Sequence, residues 1–242
     1  MDKFYKISGL TVQMSTFGYT LERAKPYVSE SADKPDIVIH SDWERLHREQ
    51  PHLSEEDCEY MSTGASFYNQ LLRFGGMLLH ASAVMMDGKA YLFSAPCGTG
   101  KSTHTSLWKK AFGEDRAQIL NDDKPALRFE DGKWYAYGTP WSGKTDQNLN
   151  ARAELAGICM LCRSENNWIE PFGGKNAVFE ILEQTARPGS PQARMIILEL
   201  LNKLLTHVPV WKMGCNMDVE AAQLSHKTMF EGWKNKNKEG AE

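Results

Sequence analysis

The sequence predicts a mixed-sheet α/β fold built on a phosphate-binding loop (P-loop), preceded by a small β-rich N-terminal lobe. Three observations predict it. Strand-like and helix-like segments alternate through the chain from about residue 66. Asp87-Gly88 and Asp131-Gly132 each separate two apolar runs and read as tight hairpins, so some neighbouring strands are antiparallel. Between these hairpins an apolar strand, a Gly-rich loop and a helix follow one another directly. The expected division is a lobe over 1–65, a core over 66–235 and a frayed tail over 236–242.

The elements are justified in order. Phe4 to Met14 alternates loosely, and Asp36 to His40 reads as a short strand, with Pro26, Pro35 and Pro51 punctuating a turn-rich region. Helical spacing starts near Ser66, with Phe67, Leu71, Leu72 and Phe74 on one side and Ser62 or Thr63 as cap. Met77 to Met86, Ala90 to Phe93, Gln118 to Leu120, the two arms around Asp131-Gly132, and Ala156 to Cys162 read as strands. Lys101 to about Phe112, Ala177 to Thr185, Ala193 to Val208 and Val219 to Phe230 read as helices, with a late strand at Val208 to Trp211.

Composition narrows the class. The 242 residues are 41% hydrophobic and 24% charged, enough apolar material for a core, and the formal charge of −3 offers no broad basic face for a nucleic-acid backbone. Lys234, Lys236 and Lys238 make only the tail locally basic, offset by Glu239 and Glu242. No apolar stretch follows Met1 to Lys6 as in an export signal, and the uncharged run Gly75 to Met86 is too short to span a bilayer. Five cysteines, an odd number, argue against a disulfide framework, and the Cys159/Cys162 pair lies inside an apolar strand, as core thiols do. A cytoplasmic protein without membrane or nucleic-acid partners is expected.

The residues Ala95-Pro96-Cys97-Gly98-Thr99-Gly100-Lys101-Ser102 fit the P-loop pattern, with Ala in place of the usual first Gly. Glycines let the backbone wrap with N–H groups aimed at phosphate oxygens, and the following helix adds its dipole. Lys101 can reach the terminal phosphates and Ser102 can ligate magnesium. Asn121-Asp122-Asp123 ends the next strand. Two adjacent carboxylates can divide metal ligation from proton abstraction; alone, the same triplet would read as a solvated turn.

Three features in this order resemble the kinase domain of bacterial HPr kinase/phosphorylase and its smaller relatives. They are the strand histidine in Leu79-His80-Ala81-Ser82, the loop Cys97 to Ser102, and the acidic pair Asp122-Asp123. That resemblance covers roughly Gly75 to Lys144 and implies a nucleotide-binding core of the phosphoenolpyruvate carboxykinase type. It implies ATP and Mg2+, with transfer to a serine hydroxyl. It implies nucleotide binding by Cys97, Gly98, Thr99, Gly100, Lys101, Ser102 and Thr103, metal ligation by Ser102 and Asp123, Asp122 as general base and His80 lining the site. Thr103 stands where the full enzyme has an acidic residue and Ala81 where it has Gly. Neither its large N-terminal domain nor its phosphorolysis signature is apparent. The chain is therefore more similar to the small relatives, some of which phosphorylate a serine in ribosomally made peptides such as lasso-peptide precursors. The acceptor expected is a serine-bearing peptide, protein or small molecule, and the sequence admits a homo-oligomer.

Further residues are candidates on chemistry alone. Lys144 could stabilise charge on a transferring phosphoryl group, and Thr139 and Ser142 could bind substrate; a structural loop packed by Pro140 and Trp141 explains the same pattern. His104 is expected to face solvent. Arg163 could reach phosphate or adenine, and Arg187 and Arg194 an acidic substrate, although solvated charge is the simpler reading of each. Two other functions share these residues. A GTPase switch is weakened by the absence of an Asn-Lys-x-Asp motif. A nucleotide-binding partner without turnover is kept open by Ala95 and Thr103.

Overall fold

The structure is a computed structural model that describes residues 3–30, 34–186 and 188–239. In the N-terminal lobe, β1 (Lys3–Ile7) and β2 (Leu10–Met14) form an antiparallel hairpin through Ser8-Gly9, and β3 (Ile37–Ile39) adds in parallel to β2. Three helices accompany them: α1 (Gly18–Ala24), α2 (Trp43–Glu49) and α3 (Glu55–Leu71). The region expected to be β-rich thus carries three helices beside its three strands. α3 begins eleven residues before the expected Ser66 and runs through the 65/66 boundary. Ser54, not Ser62 or Thr63, caps it, accepting from the Asp57 N–H, with Glu55, Glu56 and Asp57 favouring the helix dipole in the first turn. The buried face of α3 includes Glu59, Thr63 and Gly64, and these interrupt the apolar period that would have marked its first half. Ile7, Val12, Met14, Tyr27 and Ile37 pack with Phe67, Leu71 and Trp141, so lobe and core share one apolar cluster.

The core is one mixed sheet, nine-stranded among the described residues. Its members are β4 (Gly76–Leu78), β5 (Ala81–Met86), β6 (Lys89–Ser94), β7 (Gln118–Asn121), β8 (Ala126–Glu130), β9 (Lys133–Tyr137), β10 (Arg152–Arg163), β11 (Trp168–Pro171) and β12 (Val210–Cys215). β6 and β12 flank β10, both parallel to it; β5 is antiparallel to β6, and β7 antiparallel to β5. The C-terminal ends of β6, β7, β10 and β12 therefore lie along one edge, together with the start of β5. α4 (Lys101–Phe112) and α7 (Val219–Glu239) cover one face, where Phe93, Trp108, Cys159 and Met229 pack. α5 (Gly174–Glu183) and α6 (Pro191–His207) cover the other, over Leu92, Leu120, Ile158 and Leu204.

Both Asp-Gly hairpins are present, with positive φ at all four residues, as the predicted turns require. The expected strand Met77 to Met86 is broken at Leu79-His80 into β4 and β5, which pair with different neighbours. β11, with only Ile169 half-buried among exposed neighbours, carried no apolar signal. The predicted frayed tail is helical as far as Glu239, and residues 240–242 lie outside the described residues. Cys159 is fully buried, its thiol pushed well up by burial, and the Cys162 Sγ lies 3.6 Å from the Met213 carbonyl oxygen. Among the described residues no helix is long and apolar enough to cross a membrane.

Candidate active site

Open-sheet ligand sites form beyond the carboxyl ends of strands, and here that edge collects the singled-out residues. β6 ends at Ser94, and the loop turns through Gly98 (φ +77°) and Gly100 (φ +121°) into α4. Both glycines face open space, so their freedom is spent on backbone direction rather than on packing. Gly100 precedes the helix without a side-chain cap, leaving the first-turn N–H groups of α4 for a ligand. Lys101 is 8% exposed, with its Nζ on the Ala95 carbonyl oxygen at 2.9 Å. Burial lowers its pKa, against the charges of Asp123, Cys97 and Asp122, which act to raise it. Arg163, at the end of β10, donates to the carbonyls of Gly98 (2.6 Å) and Thr99 (3.3 Å). In a trans peptide N–H points opposite C=O, so Arg163 turns the Gly100 N–H away from itself. Arg163, an exposed residue for which solvated charge was the simpler reading beside phosphate or adenine contact, thus braces the loop from outside.

Pairing of Ala81 with Ser94 and of Ala83 with Asn121 brings β5 and the acidic turn beside the loop. The turn is not solvated. Asn121 is fully buried, and its Oδ1 accepts from the N–H groups of Asp123 (3.0 Å) and Lys124 (2.7 Å), shaping the chain for the two carboxylates. Asp122 is 5% exposed. Its Oδ1 accepts from Ser82 Oγ and its Oδ2 from Thr145 Oγ1, each at 2.5 Å. Ser82 Oγ lies 2.7 Å from Thr105 Oγ1 on α4, a hydroxyl that can donate to it. Asp123 faces His80 Nε2 at 3.2 Å and pairs with the Lys124 ammonium. Burial pushes the Asp123 carboxyl up, but His80 and Lys124 more than offset that and hold it at about 2. Gly143 (φ +73°) passes so close that a Cβ there would lie 2.7 Å from that of Asp123.

A cavity of about 720 Å³ joins these groups. His80, Lys101, Ser102, Asp122, Asp123 and Lys144 line it, as do Cys97, Gly98, Gly100 and Thr103 of the loop. Thr99 instead faces a second cavity of about 620 Å³ on the loop's other flank, beside Arg163 and Lys212. The lobe adds Tyr19, Arg23, Asp57 and Tyr60 to the first cavity, residues that no local pattern had marked. The Arg23 guanidinium lies over the rings of Tyr19 and Tyr60 and pairs with Asp146 at 2.9 Å. Ser82 and Thr145 were also missed as carboxylate partners; each was within two residues of a singled-out position.

Other expectations are corrected. Thr139 and Ser142 are fully buried with their hydroxyls taken up inside the protein, as the structural reading of this loop has it: Thr139 contacts Tyr68, Asn121 and the Lys124 carbonyl, and Ser142 contacts Asn148 and Asp146. Trp141 is buried against Phe67, so the structural reading holds for that part of the loop. His104 does not face solvent. It is 2% exposed, packs on Phe93 and bonds Ser225 at 3.1 Å, and burial lowers its pKa to about 4. Arg194 donates to the carbonyls of Pro188 and Gly189, away from the loop; Arg187 lies outside the described residues.

No protein-family model matches the chain, and no curated protein matches it by sequence. Among solved structures it is similar to the Hpr(Ser) kinase/phosphatase from Coxiella burnetii, at 12% identity and a TM-score of 0.38, covering 66% of this chain and 98% of that one.

Proposed function

We propose that this chain is an ATP-dependent phosphotransferase acting on a hydroxyl, a serine of a peptide or protein in the first instance. The observation that carries the reading is the convergence of the P-loop lysine with a hydroxyl-bonded carboxylate and an ionised neighbour in one cavity. Loop N–H groups and Lys101 would hold the phosphates. Asp122 takes the acceptor proton as the new O–P bond forms and the bond to the β-phosphate oxygen breaks, releasing ADP. Magnesium, when bound, supplies charge neutralisation on the β- and γ-phosphates. Ser102 and Asp123 are hard oxygen donors suited to hold it, and the place beside Asp123 already accepts a cation, the Lys124 ammonium. Lys144, exposed at the cavity wall, would stabilise charge on the transferring group.

Calorimetry and an ATP-consumption assay with serine peptides test this reading. Lys101→Ala should lose ATP·Mg2+ binding while remaining folded. Asp122→Asn should keep affinity within a few-fold and lower transfer by roughly a hundred-fold or more. Unchanged ATP affinity in folded Lys101→Ala would sink the assignment.

A further inference from the structure

We infer that Thr145 is an internal phosphate acceptor, so that the protein phosphorylates itself at this residue when no other hydroxyl competes. The inference rests on the proposed kinase reading and extends it to a modification site.

The argument begins with the two hydroxyls on Asp122. A general base must sit within hydrogen-bond reach of the proton it removes. Ser82 meets this condition but is fully buried and backed by Thr105, with no room for a phosphoryl group. Thr145 meets it from the other side. It is an exposed residue at the cavity wall, in the same cavity as Lys101, and it donates to Asp122 Oδ2 at 2.5 Å. Its hydroxyl occupies the place an acceptor hydroxyl must take.

The segment is also held in place. The Gly143 N–H donates to the Tyr60 hydroxyl at 2.8 Å, and Asp146 is paired with Arg23. Thr145 lies between these two anchors, so no encounter with a second molecule is needed. An oriented intramolecular hydroxyl has an effective concentration far above that of any dissolved acceptor. In the step, Thr145 Oγ1 forms a bond to the γ-phosphorus, the bond to the β-phosphate oxygen breaks, the hydroxyl proton goes to Asp122, and ADP leaves. The added phosphate, carrying about −1.5 to −2 charge, would then have Lys144 and Lys124 in the same cavity. It would also fill the acceptor's place, so modified protein should turn over external acceptors more slowly.

The test uses the full chain with [γ-32P]ATP or [γ-32P]GTP and Mg2+, without acceptor, followed by tandem mass spectrometry. Label is expected on Thr145, at a rate independent of protein concentration. Thr145→Ser should keep labelling at that position, and Thr145→Val should abolish it. A wild-type protein that binds nucleotide by calorimetry but gains no phosphate at Thr145 overturns the inference and leaves the kinase reading standing. A rate that rises with protein concentration also overturns it, because the acceptor is then another molecule. Absence of nucleotide binding overturns both.

Discussion

Glu59 and His104 are buried titratable groups whose effects on stability run in opposite directions over the same pH range. Glu59 is fully buried on α3 with no well-formed partner for either carboxylate oxygen; burial raises its pKa from 4.5 to about 7, the Thr20 hydroxyl and Phe17 N–H only partly countering it. The folded state holds this proton more tightly, so its contribution is full below pH 4.5 and is lost as pH rises through about 7. His104 is the reverse. Its pKa falls from 6.5 to about 4, so its contribution is full above pH 6.5 and is lost as pH falls through about 4. Each gap is worth about 3 kcal/mol, or about 1.4 kcal/mol per pH unit inside the window. Between pH 4.5 and 6.5 the two slopes nearly cancel, and His226, also lowered by burial, tilts the balance slightly toward acid loss. Glu59→Gln should therefore gain on wild type by about 1.4 kcal/mol for each pH unit of rise across the window. His104→Gln should lose on wild type by the same amount per unit. Urea titrations followed by the fluorescence of the buried tryptophans at three pH values measure both. Variant curves parallel to wild type would show that neither group is charged at the expense of the fold, and the burial argument would fail.

Two predictions test the site more directly. Cys97 is the exposed thiol of the Gly-rich loop, whereas Cys58 and Cys159 are buried and Cys162 and Cys215 half-buried. A maleimide should modify Cys97 first, and saturating ATP·Mg2+ should slow it about tenfold or more, as loop occupancy at 100 Kd allows; a rate indifferent to ATP would remove the loop from the nucleotide site. Gly143→Ala places a Cβ against Asp123 at positive φ, costing about 1–2 kcal/mol in backbone alone. Thermal denaturation should show the loss, and transfer should fall more than ATP affinity; equal Tm and turnover would show that the contact is slack.

The legible parts of the fold were those set by local stereochemistry. Gly98 and Gly100 mark the loop because their backbone angles exclude most side chains, and α4 starts and ends where the sequence placed it. The two Asp-Gly turns were fixed in the same way. In the lobe the strand segments Phe4 to Met14 and Asp36 to His40 were legible, but its longest helix was not, because it buries Glu59, Thr63 and Gly64 beside its apolar residues. His104 was misread because a histidine after a Gly-rich loop looks the same whether its ring meets water or Phe93 and Ser225. Thr139 and Ser142 stayed open between substrate contact and a structural loop because hydroxyls in a loop give no hint that Tyr68, Asn121 and Asn148 will satisfy them. The partners of Asp122 lie 40 residues before it and 23 after it, and only the tertiary fold joins them.

Strand register explains why Asp122 has a partner at all. Along β5, Ala81 and Ala83 point to the α5–α6 face, while Val84 and Met86 point to the α4–α7 face. Ser82 belongs to the second row, one position from the sheet edge, which is why its hydroxyl meets Thr105 on α4. The same row carries it toward Asp122, because Ala83 pairs with Asn121 and the chain turns immediately after. A one-residue slip of β5 would exchange the rows and send the Ser82 position to the α5–α6 face. It would also move Val84 and Met86 out of their cluster, and such apolar side chains are each worth about 1.5–3 kcal/mol when fully buried. The apolar faces of a strand with no charged residue therefore fix the orientation of the carboxylate at its end. The irregularity between Ala83 and Val84 in the β5–β7 pairing falls just past this point, so the pairing next to the carboxylates is set separately from the rest of the ladder.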